Sequence, residues 1–158
     1  MANEASRMDY EVFKASQADA YAALIALGRA VDEGGLEKDL TELVKLRVSQ
    51  MNGCAFCLQL HLNIARKLGI DEVKLGLVSA WRDAGVFSRR EAAALQWAEV
   101  LTRLNGEGAA QAEWEALREA FDEQEAALLT VTVGTINAWN RIAIGLRFAP
   151  PVVRGKAA

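Results

Sequence analysis

The sequence predicts an all-helical protein. Ala, Leu, Glu, Arg and Lys dominate it, alternating β-branched residues are almost absent, and Gly or a capping residue separates each periodic segment from the next. Its 158 residues, 52% apolar and 25% charged, suit a single domain (1–158) that builds its own core. The expected architecture is a bundle of about six to seven helices. Eighteen Lys and Arg against 21 Asp and Glu leave a net charge of −3, which offers no drive toward nucleic acid or an anionic membrane.

The first helix is expected from about Asp9 to Gly28, with Phe13, Tyr21, Leu24 and Leu27 toward the core. Gly34-Gly35 breaks the chain, and a second helix follows from about Leu36 to Met51. Asn52-Gly53 is a turn signal, and a third helix runs from Cys54 to about Leu68, closed by Gly69. Asp71 can cap a short fourth helix carrying Val73, Leu75 and Val78, which ends before Gly85. Ser88 and Glu91 form a capping box for the helix with Leu95, Trp97, Val100 and Leu101, which stops near Asn105-Gly106. Another helix covers about Ala110 to Phe121. Asp122 with Glu125 repeats the capping box and opens a long final helix ending before Pro150-Pro151.

The most apolar stretch, Ala126 to Leu146, is interrupted by Asn137, Asn140 and Arg141 and weakened by Gly134 and Gly145. It therefore reads as a core helix rather than a membrane span. Trp81, Trp97, Trp114 and Trp139 fit packing positions, and the tail from Val152 to Ala158 is expected to be loosely ordered. The N-terminus has no basic region followed by an apolar run, so a cytoplasmic location is expected.

Both cysteines and the single histidine lie within NGCAFCLQLHLNIARKLG, residues 52–69. On a helix that starts near Cys54, the residues Cys54, Cys57, Leu58, His61, Ala65 and Leu68 form one stripe. Helical side chains lean toward the N-terminus, so His61 leans back toward Cys57. Unpaired N–H groups and the macrodipole at a helix start favour an anion, and such sites lower a cysteine pKa from about 8.5 to roughly 3.5–7.5. A second thiol three residues away can resolve a sulfenic acid as a disulfide. If Asn52-Gly53 folds the second and third helices into a hairpin, His61 comes to lie opposite Glu42 to Val44, where Glu42 is the sole acid. A carboxylate there would hold the ring in one tautomer and raise its basicity.

Other chemistries fit less well. Cys54, Cys57 and His61 offer three zinc ligands, but a closed four-ligand site would need a carboxylate or another subunit, so no metal or cofactor is expected. Leu58 after the second cysteine excludes c-type haem attachment, and no βαβ pattern surrounds the pair as in a thioredoxin.

Glu42, eleven intervening residues, then Cys54-x-x-Cys57-x-x-x-His61 resembles the signature of the AhpD-like alkylhydroperoxidases of the carboxymuconolactone decarboxylase superfamily. The flanking segments RVSQMNGCAFC and LVSAWRDAGVFSRREAAALQWAE are similar too, and the resemblance spans roughly residues 20–105. It implies an AhpD-like helical fold, a homotrimer or homohexamer, and reduction of a peroxide substrate. By the same resemblance Cys57 is the peroxidatic thiol, Cys54 its proton donor and resolving partner, and Glu42 with His61 the proton relay. An external dithiol, lipoyl- or thioredoxin-like, would recharge the disulfide. Phe56 is a departure, since some members carry a histidine between the cysteines.

Two rival functions stand beside a thiol peroxidase. A decarboxylase-type lyase of the superfamily does not depend on a redox cysteine pair, so Cys54 and Cys57 argue against it. A non-catalytic oligomer could sense oxidants through the same disulfide. Phe56 and Leu60 flank the stripe, and with the resemblance they suggest sites near subunit contacts.

Overall fold

The computed structural model describes residues 6–109 and 111–153, and every regular element among them is helical. In chain order these are α1 (Tyr10–Ser16), α2 (Ala18–Glu33), α3 (Lys38–Asn52), α4 (Ala55–Leu68), α5 (Glu72–Leu77), α6 (Trp81–Ala84), α7 (Arg89–Thr102), α8 (Gln111–Ala120) and α9 (Glu123–Leu146). The fold is all-α, as the sequence predicts.

The first expected helix is two helices. Asp9 caps α1 as an N-cap should, accepting the Glu11 N–H at 2.8 Å, but the backbone leaves helical geometry at Gln17. The break lets both segments aim aromatic rings at Trp139: Phe13 of α1 at 6.5 Å and Tyr21 of α2 at 6.2 Å between centroids. Phe13 is buried and Tyr21 and Leu24 are half-buried, whereas Leu27 is 41% exposed and is not a core residue. Past the break the helical phase starts afresh, and α2 turns Leu27 outward. Helix α2 also runs past Gly28 to Glu33, so Gly28 lies inside a helix, where it costs about 1 kcal/mol relative to Ala.

The α3–α4 hairpin is the part of the fold that matters most for chemistry. Gly53 adopts the left-handed conformation, φ 70° and ψ 30°, and its N–H donates to Gln50 O at 3.2 Å. The Cys54 N–H then donates to Ser49 O at 3.0 Å. The chain reverses within two residues, and α4 starts directly against the end of α3.

The expected fourth helix is a pair of short ones, α5 and α6, joined by a 3₁₀ turn at Val78–Ala80. The break turns Trp81 inward, and its Nε1 donates to buried Glu99 at 3.0 Å. Arg47 Nε also reaches Glu99, at 2.6 Å, and Arg82 pairs with it as well, so one carboxylate ties α3, α6 and α7 together. Both expected capping boxes are present, Ser88 with Glu91 and Asp122 with Glu125. Helix α9 packs against α2, α3, α4 and α7 and buries Leu129, Val133 and Ile136. No helix among the described residues is long and apolar enough to cross a membrane. Of the tail expected to be loose, Val152 and Val153 are described and exposed, and residues 154–158 lie outside the described part.

Candidate active site

Cys54 is the N-cap of α4. Its Sγ accepts the Cys57 backbone N–H at 3.3 Å, where most helices place a serine or aspartate oxygen. Cys57 sits in the first turn, and both thiols are free and buried. The Cys57 thiol donates to Cys54, and this with the backbone N–H groups of Cys57 and Phe56 pulls Cys54 below an ordinary cysteine despite burial. Cys57 is pushed up by that same hydrogen bond and by burial, so Cys54 is the more acidic of the two.

One turn further on, His61 Nδ1 lies 2.7 Å from Glu42 Oε2, the pairing that the hairpin count predicts. Glu42 is fully buried, and its other oxygen, Oε1, takes Lys45 Nζ at 2.9 Å and Lys38 Nζ at 3.3 Å. An Nδ1–H held on the carboxylate leaves Nε2 as the basic nitrogen. His61 forms no hydrogen bond to either sulfur, so its expected lean onto Cys57 is not a direct contact. The two side chains instead line the same pocket. Leu68, the last member of the expected stripe, is 46% exposed because α4 ends there, beyond the packing of α3.

Burial pushes the Glu42 carboxyl up, and the His61 ring and the Lys45 ammonium more than offset it, holding the group at about 2 instead of 4.5. A depressed folded pKa stabilises the fold above the unfolded value and loses that contribution as pH falls toward the folded one. That difference corresponds to about 3 kcal/mol. Chemical denaturation should therefore show stability dropping between pH 4.5 and about 2, with Glu42→Gln flattening that part of the profile. An unchanged slope in Glu42→Gln would show that other carboxylates carry the acid sensitivity.

The pocket measures about 390 Å³ and lies between α1, α2, α3, α4 and α9. Leu24, Ile25, Leu60, Ile136 and Trp139 supply apolar wall, Cys57 and His61 the reactive end, and Arg29, Asp32 and Lys45 the charged part. Phe56 is not a free flank: it is buried, with its ring 4.9 Å from Tyr10 and 5.3 Å from Phe148 of the same chain. Once the α1 segment folds over it, Phe56 becomes a wall of the pocket, and Leu60 lines the same space.

Several residues at the site escape the sequence reading. Lys38 and Lys45 stand four residues before and three after Glu42, a helical spacing that would have found them. Asn140, fully buried on α9, donates to Ser49 Oγ at 3.1 Å and accepts from Asn52 at 2.8 Å. Its amide also favours the Cys57 thiolate, against the stronger effects that raise that thiol. No spacing rule links residue 140 to residue 57, and only the polar interruption of an apolar helix hinted at it. Among the described residues no group of three His, Cys, Asp or Glu side chains is placed to hold a metal ion.

Residues 18–100 match the model of the Carboxymuconolactone decarboxylase family. An uncharacterised Bacillus subtilis protein, YdfG, is 36% identical over 114 residues, 72% of this chain and 78% of that one. Among solved structures, an Agrobacterium tumefaciens protein of unknown function, described as a candidate antioxidant defence protein AhpD, superposes with a TM-score of 0.87. Its identity is 37%, over 94% of this chain and 99% of that one. An uncharacterised peroxidase-related protein from Ralstonia eutropha, described as an alkylhydroperoxidase AhpD core, gives a TM-score of 0.77 at 25% identity, over 88% of this chain and 74% of that one.

Proposed function

The chain belongs to the carboxymuconolactone decarboxylase family, among its AhpD-like members, and from that premise we propose that it is a thiol-dependent peroxidase. The observation that carries this reading is the Glu42–His61 pair at 2.7 Å, sharing one pocket with a cysteine of a Cys-x-x-Cys helix start. The likeness to a candidate antioxidant defence protein supports the same direction.

The reaction follows from the groups present. His61 draws one proton from the dithiol, the remaining proton passes from Cys57 to Cys54, and the Cys57 thiolate attacks the terminal oxygen of a hydroperoxide. The O–O bond breaks, Cys57 becomes a sulfenic acid, and the departing alkoxide takes a proton from the His61 imidazolium and leaves as alcohol. Neutral His61 then removes the proton from Cys54. The Cys54 thiolate attacks the Cys57 sulfur, and hydroxide leaves with the His61 proton as water. Two thiols and one hydroperoxide become one disulfide, one alcohol and one water, and an external dithiol restores the thiols.

A decarboxylating lyase would need the Glu42–His61 pair but would leave the two buried thiols without a task. The reading includes self-association, for which Ile25 and Leu27 on α2 and Val131 and Ile144 on α9 are among the exposed apolar residues. Thiol counting tests the chemistry. One equivalent of hydroperoxide should remove both thiols of the reduced protein, with a loss of two hydrogens inside one peptide, and dithiothreitol should restore them. Two thiols that persist unreacted in the native protein would overturn the proposal.

A further inference from the structure

We propose that the pocket is built for an organic hydroperoxide that carries a carboxylate, its apolar body lying over Gly28 against Leu60 and Trp139 and its carboxylate held by Arg29. This rests on the peroxidase reading for its chemistry, while its ligand class is argued from the pocket alone. The volume of about 390 Å³ is an order of magnitude above the roughly 30 Å³ share of a water-sized molecule, so hydrogen peroxide would leave it nearly empty. It falls instead in the range of small-molecule sites, about 300–1,000 Å³.

Gly28 lies in the interior of α2, where glycine weakens the helix, and it lines the pocket. A Cβ built there would meet nothing within 4 Å. No close packing in this chain therefore demands glycine at this position, and its effect is to keep the wall of the pocket open.

The charges at the pocket sort into pairs and one remainder. Asp32 takes Lys38 at 2.6 Å, and Glu42 takes Lys45 at 2.9 Å and His61 at 2.7 Å. Arg29 lines the pocket and forms no ion pair among the described residues. Its planar guanidinium matches a carboxylate with two parallel hydrogen bonds, and it lies on the helix that also carries Gly28. A ligand anchored there extends across the open glycine wall toward Cys57.

Octanoate and octanol are unreactive probes of equal chain length, followed by tryptophan fluorescence with Trp139→Phe as the control for signal origin. Octanoate should bind about tenfold more tightly than octanol, and Arg29→Gln should erase that difference. Gly28→Leu should weaken both by about tenfold or more, with Gly28→Ala as a variant that keeps the helix sound. Kinetically, a fatty-acid hydroperoxide should exceed its methyl ester about tenfold in kcat/KM, and Arg29→Gln should bring the two together. Equal binding of octanoate and octanol, or a preference that survives Arg29→Gln, would overturn the inference. Peroxide turnover without a carboxylate preference strikes this inference alone. Carboxylate-selective binding without any turnover upholds the ligand class and strikes the peroxidase reading instead.

Discussion

Replacing Cys57 with serine should abolish peroxide consumption, while Cys54→Ser should permit one slow oxidation that stops at a trapped sulfenic acid. The two thiols differ in access and in charge, and these point in opposite directions. Cys57 lines the pocket and Cys54 does not, yet the thiolate of the resting pair is favoured on Cys54 by the hydrogen bonds it accepts. Access decides the outcome, because moving a proton between neighbouring sulfurs is a small rearrangement, whereas Cys57 is the sulfur that lines the pocket. Serine at position 54 is also a good N-cap, so that variant should keep the helix start intact. A sulfenic-acid-specific reagent followed by peptide mass spectrometry reads which cysteine is oxidised in each variant. Label on Cys54 in Cys57→Ser, with retained peroxide consumption, would reverse the two roles.

What was legible in the sequence follows from local rules. The capping boxes at Ser88 and Asp122 and the turn at Gly53 each rest on residues within one or two helical turns, and all of these appear, while the stripe on α4 runs from Cys54 to Ala65 and leaves Leu68 exposed. Glu42 was reachable too, since a tight hairpin converts sequence distance from the turn into a position across it. The break at Gln17 was not legible, because no Gly or Pro marks it; it exists so that two helices can pack against Trp139, a residue of the far end of the chain. Asn140, the pocket and the burial of Phe56 share that character. Each depends on which distant element α1, α2 or α9 covers, and local periodicity carries no information about that choice.

Substituting His61 with alanine should slow peroxide reduction by about 10²–10⁴-fold while both thiols remain countable, the usual weight of a positioned acid–base group. The imidazole is fixed through Nδ1 to a buried carboxylate, so its free nitrogen serves the pocket that Cys57 lines. It takes a proton from the dithiol, gives it to the leaving alkoxide and then takes another from Cys54, and alanine removes all three transfers. Glu42→Gln should be milder, about tenfold, since it weakens the tautomer control and leaves the ring in place. The amide also leaves the Lys45 ammonium without its nearest carboxylate, whereas Lys38 keeps Asp32, so a stability measurement must accompany the kinetics. Single-turnover oxidation as a function of pH separates these contributions, because loss of the base should steepen the dependence of rate on pH as the thiols come to rely on hydroxide. If His61→Ala oxidises as fast as the parent protein with an unaltered pH profile, the Glu42–His61 pair is a clasp between α3 and α4 and takes no part in proton transfer.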